Sequence, residues 1–449
     1  MLNNGTEEMM LQKKNLKRLL LLTLLLLLIF TLVSCSRAGS ETVYGKETLR
    51  ENITAEKNTS RDFAWNYFDR WNFPAFNSAK LKSVEVLFRD NYYIDLPTSY
   101  ELAKTSAARF LDEYYDKTDL SNSDAVTDAL IRSYVYALED KYSVYRSADE
   151  YVQYTGNLSG NFVGVGITVQ RYNDTEEFIV VAVNEDSPAK TAGILPGDIV
   201  VAVDGVEVKL LGYEAAINAI KGEAGSSVTL TVLRGSNRLN LIAVRAPIID
   251  KTVEYSLTGN IGYIKITSFK SNTDEQFEEA VDYMLDNGAA GIIYDLRSNS
   301  GGYLDTVQHM LEYIAPKGVT LVSFSNNYSK DYVCRDTHTA LLPSVVLCNG
   351  STASAAELFT AGIRDLCKMG YLDAVIVGET TFGKGIMQRT YTLFDKSAVT
   401  MTVAYYNPPS GKNYHGVGIT PDVTVALEAV GDTQLSAAVA EIQKLIKNK

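Results

Sequence analysis

The stretch AGIIYDLRSNSGG, residues 290–302, decides how the second half of the chain is expected to fold. It begins with an apolar run typical of a buried strand and ends in a polar, glycine-rich loop. Similar strands surround it, with amphipathic helical patterns between them: IGYIKITSF at 261–269, SVVLCNG at 344–350 and AVIVGE at 374–379. Strands that alternate with helices predict a partly parallel sheet, so from about Lys251 onward we expect an α/β domain.

Two loops of this domain follow directly after strands, where sites form in such sheets. They are DLRSNSGG at 295–302 and NGSTAS at 349–354. Ser354 stands at the start of a helix, where free N–H groups and the positive end of the helix dipole lie. It is therefore either a helix cap or a nucleophile whose oxyanion the N–H groups would hold. Taken alone, Ser354 is better explained as a cap, a role that Ser351 and Thr352 would fill equally well.

A lysine offers the general base that the nucleophile would need. In VGETTFGKGIMQ (377–388), Lys384 lies between two glycines, which let backbone approach a site closely. Burial lowers the pKa of a lysine, so Lys384 would accept a proton near neutral pH. Gln388 would hold the amine through its side-chain carbonyl. The alternative is a surface Gly-Lys-Gly turn. A serine–lysine pair needs no histidine, and the three histidines of the chain lie in no obvious motif.

The first half of the chain has two different patterns. Residues 61–155 have helical periodicity, and Ser123 with Asp124 offers the start of one helix. Its apolar stripe, spaced four apart, comprises Val126, Leu130, Tyr134, Leu138 and Tyr142. From Asn161 to about Pro247, short β-branched strands alternate with two helices, and Asp204-Gly205 is a strong hairpin-turn signal. This second part predicts a compact, β-rich module.

The N-terminus is typical of an export signal. Four basic residues between Lys13 and Arg18 precede an apolar run, Leu19–Val33, that is short for a membrane span. The run ends in LVSC, which resembles a bacterial lipobox. We expect a signal peptide at 1–34, lipidation of Cys35, a tether at 35–60, and anchoring to the outer face of the cytoplasmic membrane. The alternative is a plain signal anchor in which Cys35 is incidental.

Composition excludes some functions. The formal net charge is −12 over 449 residues, which argues against nucleic-acid binding, since that needs a basic surface. Cys334, Cys348 and Cys367 lack the spacing of a zinc site. They are expected to be buried thiols, although a Cys334–Cys348 bridge stays open. We expect neither a metal nor a cofactor.

Together, the motifs from about Leu87 to Val425 resemble those of the carboxyl-terminal processing peptidases, or tail-specific proteases. They appear in the order of that family: EDKYSVY (139–145), FVGVGITV (162–169), SPAKTAGILPGDIVVAVDG (187–205), DLRSNSGGYL (295–304), GSTASAAELFTAGIRD (350–365), VGETTFGKGIMQ (377–388) and VAYYNPPSGKNYHGVGITPDV (403–423). The resemblance implies a multidomain α+β and α/β protein. Its parts would be a helical region at 61–155, a PDZ-like domain at 156–247 and a serine peptidase core at 248–449.

The resemblance also implies roles for single residues. Ser354, three residues before Glu357, matches the family's nucleophile, Lys384 its general base and Gln388 the residue that orients the base. The oxyanion hole would use the backbone N–H groups of two residues. They are Gly302 and Ala355.

Asp295 and Arg297 would fix the glycine loop. The chain departs from the family at Ala356, which replaces a serine, at Ser300, where proline is usual, and in a longer segment LCKMGYLDA.

In the PDZ-like region, Gly164 and Gly166 would turn N–H groups toward a peptide carboxylate, while Phe162, Val165 and Ile167 line the loop and an apolar pocket. A β-bulge is the alternative explanation of the two glycines.

The leading hypothesis is an exported serine endopeptidase that captures free C-terminal tails of proteins or peptides and cuts the chain. A homodimer is a further expectation from the resemblance. One alternative is a PDZ-type tail-binding scaffold with an inactive core. Another is a peptidase that stays inactive until a ligand shifts the PDZ module.

Overall fold

The computed structural model describes residues 45–55, 63–158, 161–173, 175–325, 331–335, 340–428 and 430–448. The signal peptide, Cys35 and His338 lie outside these residues, so lipidation stays a prediction. Within the described ranges, no helix is long and apolar enough to cross a membrane. The chain divides into two compact units. The first comprises the described residues up to Ser78 with Thr98–Ser133, and the second comprises Ala79–Pro97 with Tyr134–Lys449.

The N-terminal part is helical, as its periodicity predicts. Its helices are α1 (Lys46–Ala55), α2 (Ala64–Arg70), α3 (Ser78–Asn91), α4 (Ser99–Arg109) and α5 (Ser123–Tyr136). Helix α4 begins with a capping box, in which the Thr98 hydroxyl accepts from Glu101 N–H and the Glu101 carboxylate accepts from Thr98 N–H. The first unit buries an aromatic core that includes Tyr67, Phe68 and Trp71. Helix α1, with Leu49 and Ile53 buried, lies inside the stretch expected to be a tether.

Helix α5 corrects two details of the sequence analysis. Its start is capped by Asn122, whose side-chain oxygen accepts from the N–H groups of Asp124 and Ala125 at 3.0 and 3.2 Å. The helix ends at Tyr136 instead of continuing along the apolar stripe, because the chain turns at 137–139, where Glu139 has φ 56°. Leu138 is buried in this turn, and Tyr142 lies in the loop beyond it.

After this loop come β1 (Val144–Arg146), α6 (Ala148–Leu158) and the β-rich module. The module is entered by β2 (Asn161–Gly164) and left by β9 (Ala246–Ile249), which pair antiparallel. Between them lies a sheet of order β3-β4-β5-β7-β8, with β6 beside β5. Its elements are β3 (Ile167–Arg171), β4 (Phe178–Val183), α7 (Pro188–Thr191), β5 (Ile199–Val203), β6 (Val206–Glu207), α8 (Val208–Leu211), α9 (Tyr213–Ile220), β7 (Ser227–Arg234) and β8 (Asn237–Val244). Asp204 and Gly205, at φ 46° and 81°, form the predicted hairpin turn.

The α/β domain contains a six-stranded sheet of order β10-β11-β12-β15-β16-β19. Its strands are β10 (Val253–Thr258), β11 (Ile261–Ile266), β12 (Gly291–Asp295), β15 (Ser344–Cys348), β16 (Ala374–Gly378) and β19 (Val423–Thr424). All neighbours are parallel except β10 and β11. One face packs on α10 (Thr273–Asp286), α11 (Leu304–Ile314) and α12 (Ala355–Lys368), and the other on α13 (Thr433–Lys447).

A second sheet of this domain joins residues from distant parts of the chain. It consists of β1, β13 (Thr320–Ser325), β14 (Tyr332–Val333), β17 (Ile386–Thr392) and β18 (Ala398–Asn407), with β18 paired to β1, β13 and β17. Near its hairpin turn, the buried Lys80 ammonium forms an ion pair with Asp395 at 2.6 Å. The mixed helix-and-sheet architecture, with a β-rich module beside an α/β core, confirms the predicted fold class.

Candidate active site

Ser354 lies in a constrained turn between β15 and α12. Its φ of 57° and ψ of −119° are unusual for a residue with a side chain, and such a conformation costs on the order of 1–3 kcal/mol. Hydrogen bonds fix the turn before it. The Thr352 hydroxyl donates to the Leu296 carbonyl at 2.9 Å and accepts from Asn349 N–H at 2.9 Å. Surrounding structure therefore determines where the Ser354 hydroxyl points.

A buried carboxylate joins the serine turn to the lysine loop. Glu357 is fully buried and accepts four hydrogen bonds. One oxygen accepts from the Thr381 hydroxyl and Gly383 N–H at 2.5 and 2.6 Å. The other accepts from Lys384 N–H and Ser354 N–H at 2.7 and 2.9 Å. Because one side chain holds the backbone at both Ser354 and Lys384, it fixes their separation.

The Lys384 amine is partly buried and oriented by its neighbours. It donates to Gln388 Oε1 at 2.9 Å, and Gln388 Nε2 donates to the Tyr142 carbonyl at 2.6 Å. Burial lowers the pKa of Lys384, although the charges of Asp140 and Glu357 act in the opposite direction. The amine is thus closer to accepting a proton at neutral pH than a free lysine is.

The glycine loop after β12 packs directly against the serine turn. A Cβ on Gly301 would lie 2.8 Å from the Ala353 carbonyl oxygen, and one on Gly302 would lie 2.0 Å from the Phe269 carbonyl oxygen. Asn299 ties the loop down, since its side chain donates to the Ile266 carbonyl and accepts from Gly301 N–H. Only glycine fits at these two positions.

Asp295 and Arg297, which were expected to fix this loop, form an ion pair that includes a third residue. The Arg297 guanidinium binds Asp295 at 2.6 Å and also Asp432, which caps α13, at 2.7 Å. It therefore joins the glycine loop to the C-terminal helix.

A cavity of about 650 Å³ brings the predicted catalytic residues together. Its wall includes Ser354, Ala355, Gly302, Lys384 and Gln388. Their proposed roles stay predictions.

The residues predicted for the PDZ pocket are spread over a strand, a turn and an edge. Phe162 and Gly164 belong to β2, and Gly166 follows in a left-handed conformation, with φ 80°. Val165 is only 1% exposed and packs in the core of the module, so it does not face an open groove. Ile167 is half-buried and begins β3, an edge strand of the sheet.

Sequence reasoning missed three residues around the amine and the serine. Glu357 served there only as a landmark, although the spacing Ser-x-x-Glu is a known capping-box signal. The Tyr406 hydroxyl donates to the Lys384 carbonyl at 2.8 Å. The ring of Tyr142 lies 4.8 Å from Lys384 Nζ. No local sequence pattern pointed to the two tyrosines, because the residues that they contact are far away in the sequence.

The histidines and cysteines do not form a site among the described residues. His309 binds Asp274 on the surface. Cys334, Cys348 and Cys367 are free thiols, so no Cys334–Cys348 bridge forms. In the described part of the chain, no three His, Cys, Asp or Glu side chains gather as metal ligands would.

Comparison with known proteins gives matches for the α/β domain and for the β-rich module. Residues 260–425 match Peptidase family S41, and residues 179–234 match the PDZ domain. A probable CtpA-like serine protease of Staphylococcus epidermidis is 36% identical over 319 residues, which is 70% of this chain and 63% of that protein. One of Staphylococcus aureus is 34% identical and covers 70% and 62%. The chain thus spans somewhat less than two thirds of these relatives.

Among solved structures, a putative S41 protease of Bacteroides fragilis has the same fold. It is 16% identical, with a TM-score of 0.50, over 81% of this chain and 97% of that one.

Proposed function

We propose that the chain is an endopeptidase with Ser354 as nucleophile and Lys384 as general base, because residues 260–425 match Peptidase family S41 and residues 179–234 match the PDZ domain. One observation supports this most directly. The Lys384 amine, with its pKa lowered by burial, lines the same cavity as Ser354 and is held by Gln388.

The chemistry follows from the groups around the cavity. Ser354 Oγ attacks the scissile carbonyl while Lys384 Nζ takes its proton, and the amine then returns that proton to the departing amino group. The N–H groups of Gly302 and Ala355 hold the oxyanion. Water attacks the acyl-enzyme by the same route, with Lys384 again as base. In this scheme Gln388 orients Lys384.

We further propose that the PDZ module selects substrates by their free C-terminal tails. A peptide would add as a strand to the edge of β3, with its carboxylate near the Gly164–Gly166 turn. Ile167, half-buried at the start of β3, would contact the last side chain of the tail. Val165 supports the turn from within the core.

The cellular setting rests on the sequence alone. We propose that the chain is exported, cut before Cys35 and anchored by lipid at that residue. Metabolic labelling with a fatty-acid analogue tests the anchor, because Cys35→Ala should lose both the label and the membrane association. Analytical ultracentrifugation of the mature protein tests the proposed homodimer.

The catalytic assignment is tested with Ser354→Ala and Lys384→Ala, assayed on an unstructured protein with an apolar C-terminus. Each should lower kcat/KM by at least about 10³-fold, because neither group can act without the other. Lys396→Ala, in the β17–β18 turn, is the matched control for removing a lysine, and circular dichroism checks the fold. Retained cleavage by either active-site variant would refute the assignment.

Binding separates the peptidase from a tail-binding scaffold. Ser354→Ala should bind a peptide with a free carboxylate more tightly than its C-terminal amide. A wild-type protein that shows this preference but never turns over substrate would be a scaffold. Cleavage that rises after removal of the PDZ module would instead indicate a peptidase that the module holds inactive.

A further inference from the structure

The loop before β1 precedes the PDZ module in the sequence, whereas the proposed base, Lys384, follows it. In the structure this loop contacts Lys384 directly. Two contacts come from one residue of this loop, Tyr142. Its ring centroid is 4.8 Å from Lys384 Nζ, and its carbonyl accepts the 2.6 Å hydrogen bond from Gln388. Since Gln388 in turn accepts from the amine, the three residues form a closed set of contacts.

This loop is firmly attached to the strands that carry the base. Asp140 accepts from Tyr142 N–H at 2.9 Å, and from the hydroxyls of Ser143 and Thr402 at 2.7 Å each. Thr402 lies in β18, directly opposite Gln388 in β17. The loop therefore keeps its place relative to Gln388 and, through it, to the amine.

We propose that Tyr142 is a positioning residue for Lys384, whose ring covers the amine and whose carbonyl fixes the orientation of Gln388. The proposal rests on the proposed function, because it assigns Tyr142 to the same reaction. Tyr142 does not need to touch the substrate for this role.

The ring has two opposing effects on the proton of Lys384. An aromatic face attracts a cation, which favours the protonated amine. The same ring excludes water, which favours the neutral amine. Burial is the largest cause of the lowered pKa of Lys384. Because the ring contributes to that burial, we expect the exclusion of water to be the stronger effect.

Other charged or titratable groups surround this contact and stay unchanged in the test below. Asp140 in the loop and Glu357 in α12 favour the protonated amine. The Lys141 ammonium lies 4.9 Å from the Tyr142 ring, and the imidazole of His415 lies 6.1 Å from it. Tyr406 of β18 binds the carbonyl of Lys384.

The first measurement is the pH dependence of kcat/KM on a short peptide. In Tyr142→Ala, water reaches the amine, and the acid limb of the profile should move to higher pH by on the order of one unit. Tyr142→Phe keeps the ring and should keep the limb at its wild-type position. Phe394→Ala, which removes an exposed ring at the β17–β18 turn, is the control for loss of an aromatic.

The second measurement reports on the amine without catalysis. In a Ser354→Ala background, the rate at which acetic anhydride labels Lys384 is followed against pH by mass spectrometry. Tyr142→Ala should move this titration upward by the same amount as the kinetic limb, while Tyr142→Phe should not.

The outcomes are distinct. Matching shifts in both measurements support the proposal. Lower activity in Tyr142→Ala with neither limb nor labelling moved would show a merely structural residue and overturn it. If labelling shifts but the wild-type protein never cleaves, the contact to Lys384 stands and the proposed peptidase function fails.

Discussion

The α/β core and the PDZ module both place glycines at sharp bends, but they differ in the other residues that adopt this conformation. In the described part of the module, left-handed positions are occupied by glycines and by Asn173 and Asp204, which tolerate this conformation in turns. In the core, two serines adopt it at the ends of parallel strands, Ser298 after β12 and Ser354 after β15. Serine has no such tolerance, so something else must hold these turns.

Hydrogen bonds from side chains do so. Asn349 accepts from Ser298 N–H and donates to its hydroxyl, and Glu357 binds Ser354 N–H. A strained turn persists only where its surroundings overdetermine it. Both regions use glycine where the backbone needs room, but the core also uses buried polar contacts to hold two serines in this conformation.

The largest effect should come from removing the carboxylate that holds both loops. Glu357→Gln replaces one acceptor oxygen by a donor, so at least one pair of N–H or hydroxyl donors loses its partner. We expect kcat/KM to fall about 10³-fold, and the free energy of unfolding to fall by roughly 2–4 kcal/mol. Steady-state kinetics and urea denaturation measure the two effects.

Glu275→Gln, on the exposed face of α10, is the control for loss of a carboxylate. If Glu357→Gln kept wild-type activity, the buried carboxylate would not be needed to hold the Ser354 turn, and the contrast drawn between core and module would fail.

The next largest effects should come from replacing one crowded glycine in the core and one in the PDZ module. In Gly302→Ala the new methyl group would overlap the Phe269 carbonyl, so the loop must move, and kcat/KM should fall about 10²-fold. In Gly166→Ala it would overlap the Ser187 Cβ, and binding of a C-terminal tail should weaken more than cleavage of a short peptide does. Gly156→Ala, with open space around it, is the control. If tail binding and peptide cleavage fell equally in Gly302→Ala and in Gly166→Ala, the two glycines would not have separate roles in cleavage and in binding.

A smaller effect concerns the PDZ module alone. Asp198 is fully buried and bound by the Arg234 guanidinium at 2.7 Å. Arg234→Met leaves this carboxylate without its partner and should cost about 2 kcal/mol of unfolding free energy, reduced from the fully buried case because Arg234 is partly exposed. Denaturation followed by intrinsic fluorescence measures it, with Arg238→Met, in an exposed pair, as control.

The pH dependence of this pair has a definite sign. Burial alone would raise the pKa of Asp198, but hydrogen bonds from Arg234 and Leu195 N–H, with the guanidinium charge, lower it below its usual range. A lowered carboxyl pKa stabilises the fold above about pH 4, the unfolded value, and this stabilisation is lost as pH falls through the folded pKa. The difference in unfolding free energy between wild type and Arg234→Met should therefore shrink as pH falls below about 4, and a difference that does not shrink would disagree.

The mildest test changes only pH. In the proposed mechanism cleavage requires neutral Lys384, so kcat/KM should rise tenfold per pH unit and level off below about 10.4, the usual pKa of a lysine. A plateau reached only above that pH would mean that burial of the amine does not serve the chemistry.

Local patterns predicted much of this structure. Alternating strands and helices, the Asp204-Gly205 turn and the order of the Ser354 and Lys384 motifs all depend on neighbouring residues. The helix α5 was extended too far, because Leu138 and Tyr142 continue its spacing yet are apolar for other reasons. The bond between Gln388 and the Tyr142 carbonyl joins residues 246 positions apart, and no local pattern encodes it.

The antiparallel pairing of β2 with β9 has a consequence for synthesis on the ribosome. It closes the module as soon as Ile249 has emerged, before Ser354 and Lys384 have been synthesised. The sheet that completes the site must wait for β18, because β1 pairs with it across Val144 and Thr400. Domains generally fold as units in order of emergence. The nascent chain is therefore expected to complete its PDZ module early and the proposed active site last, so it would be unable to cleave during most of its own translation.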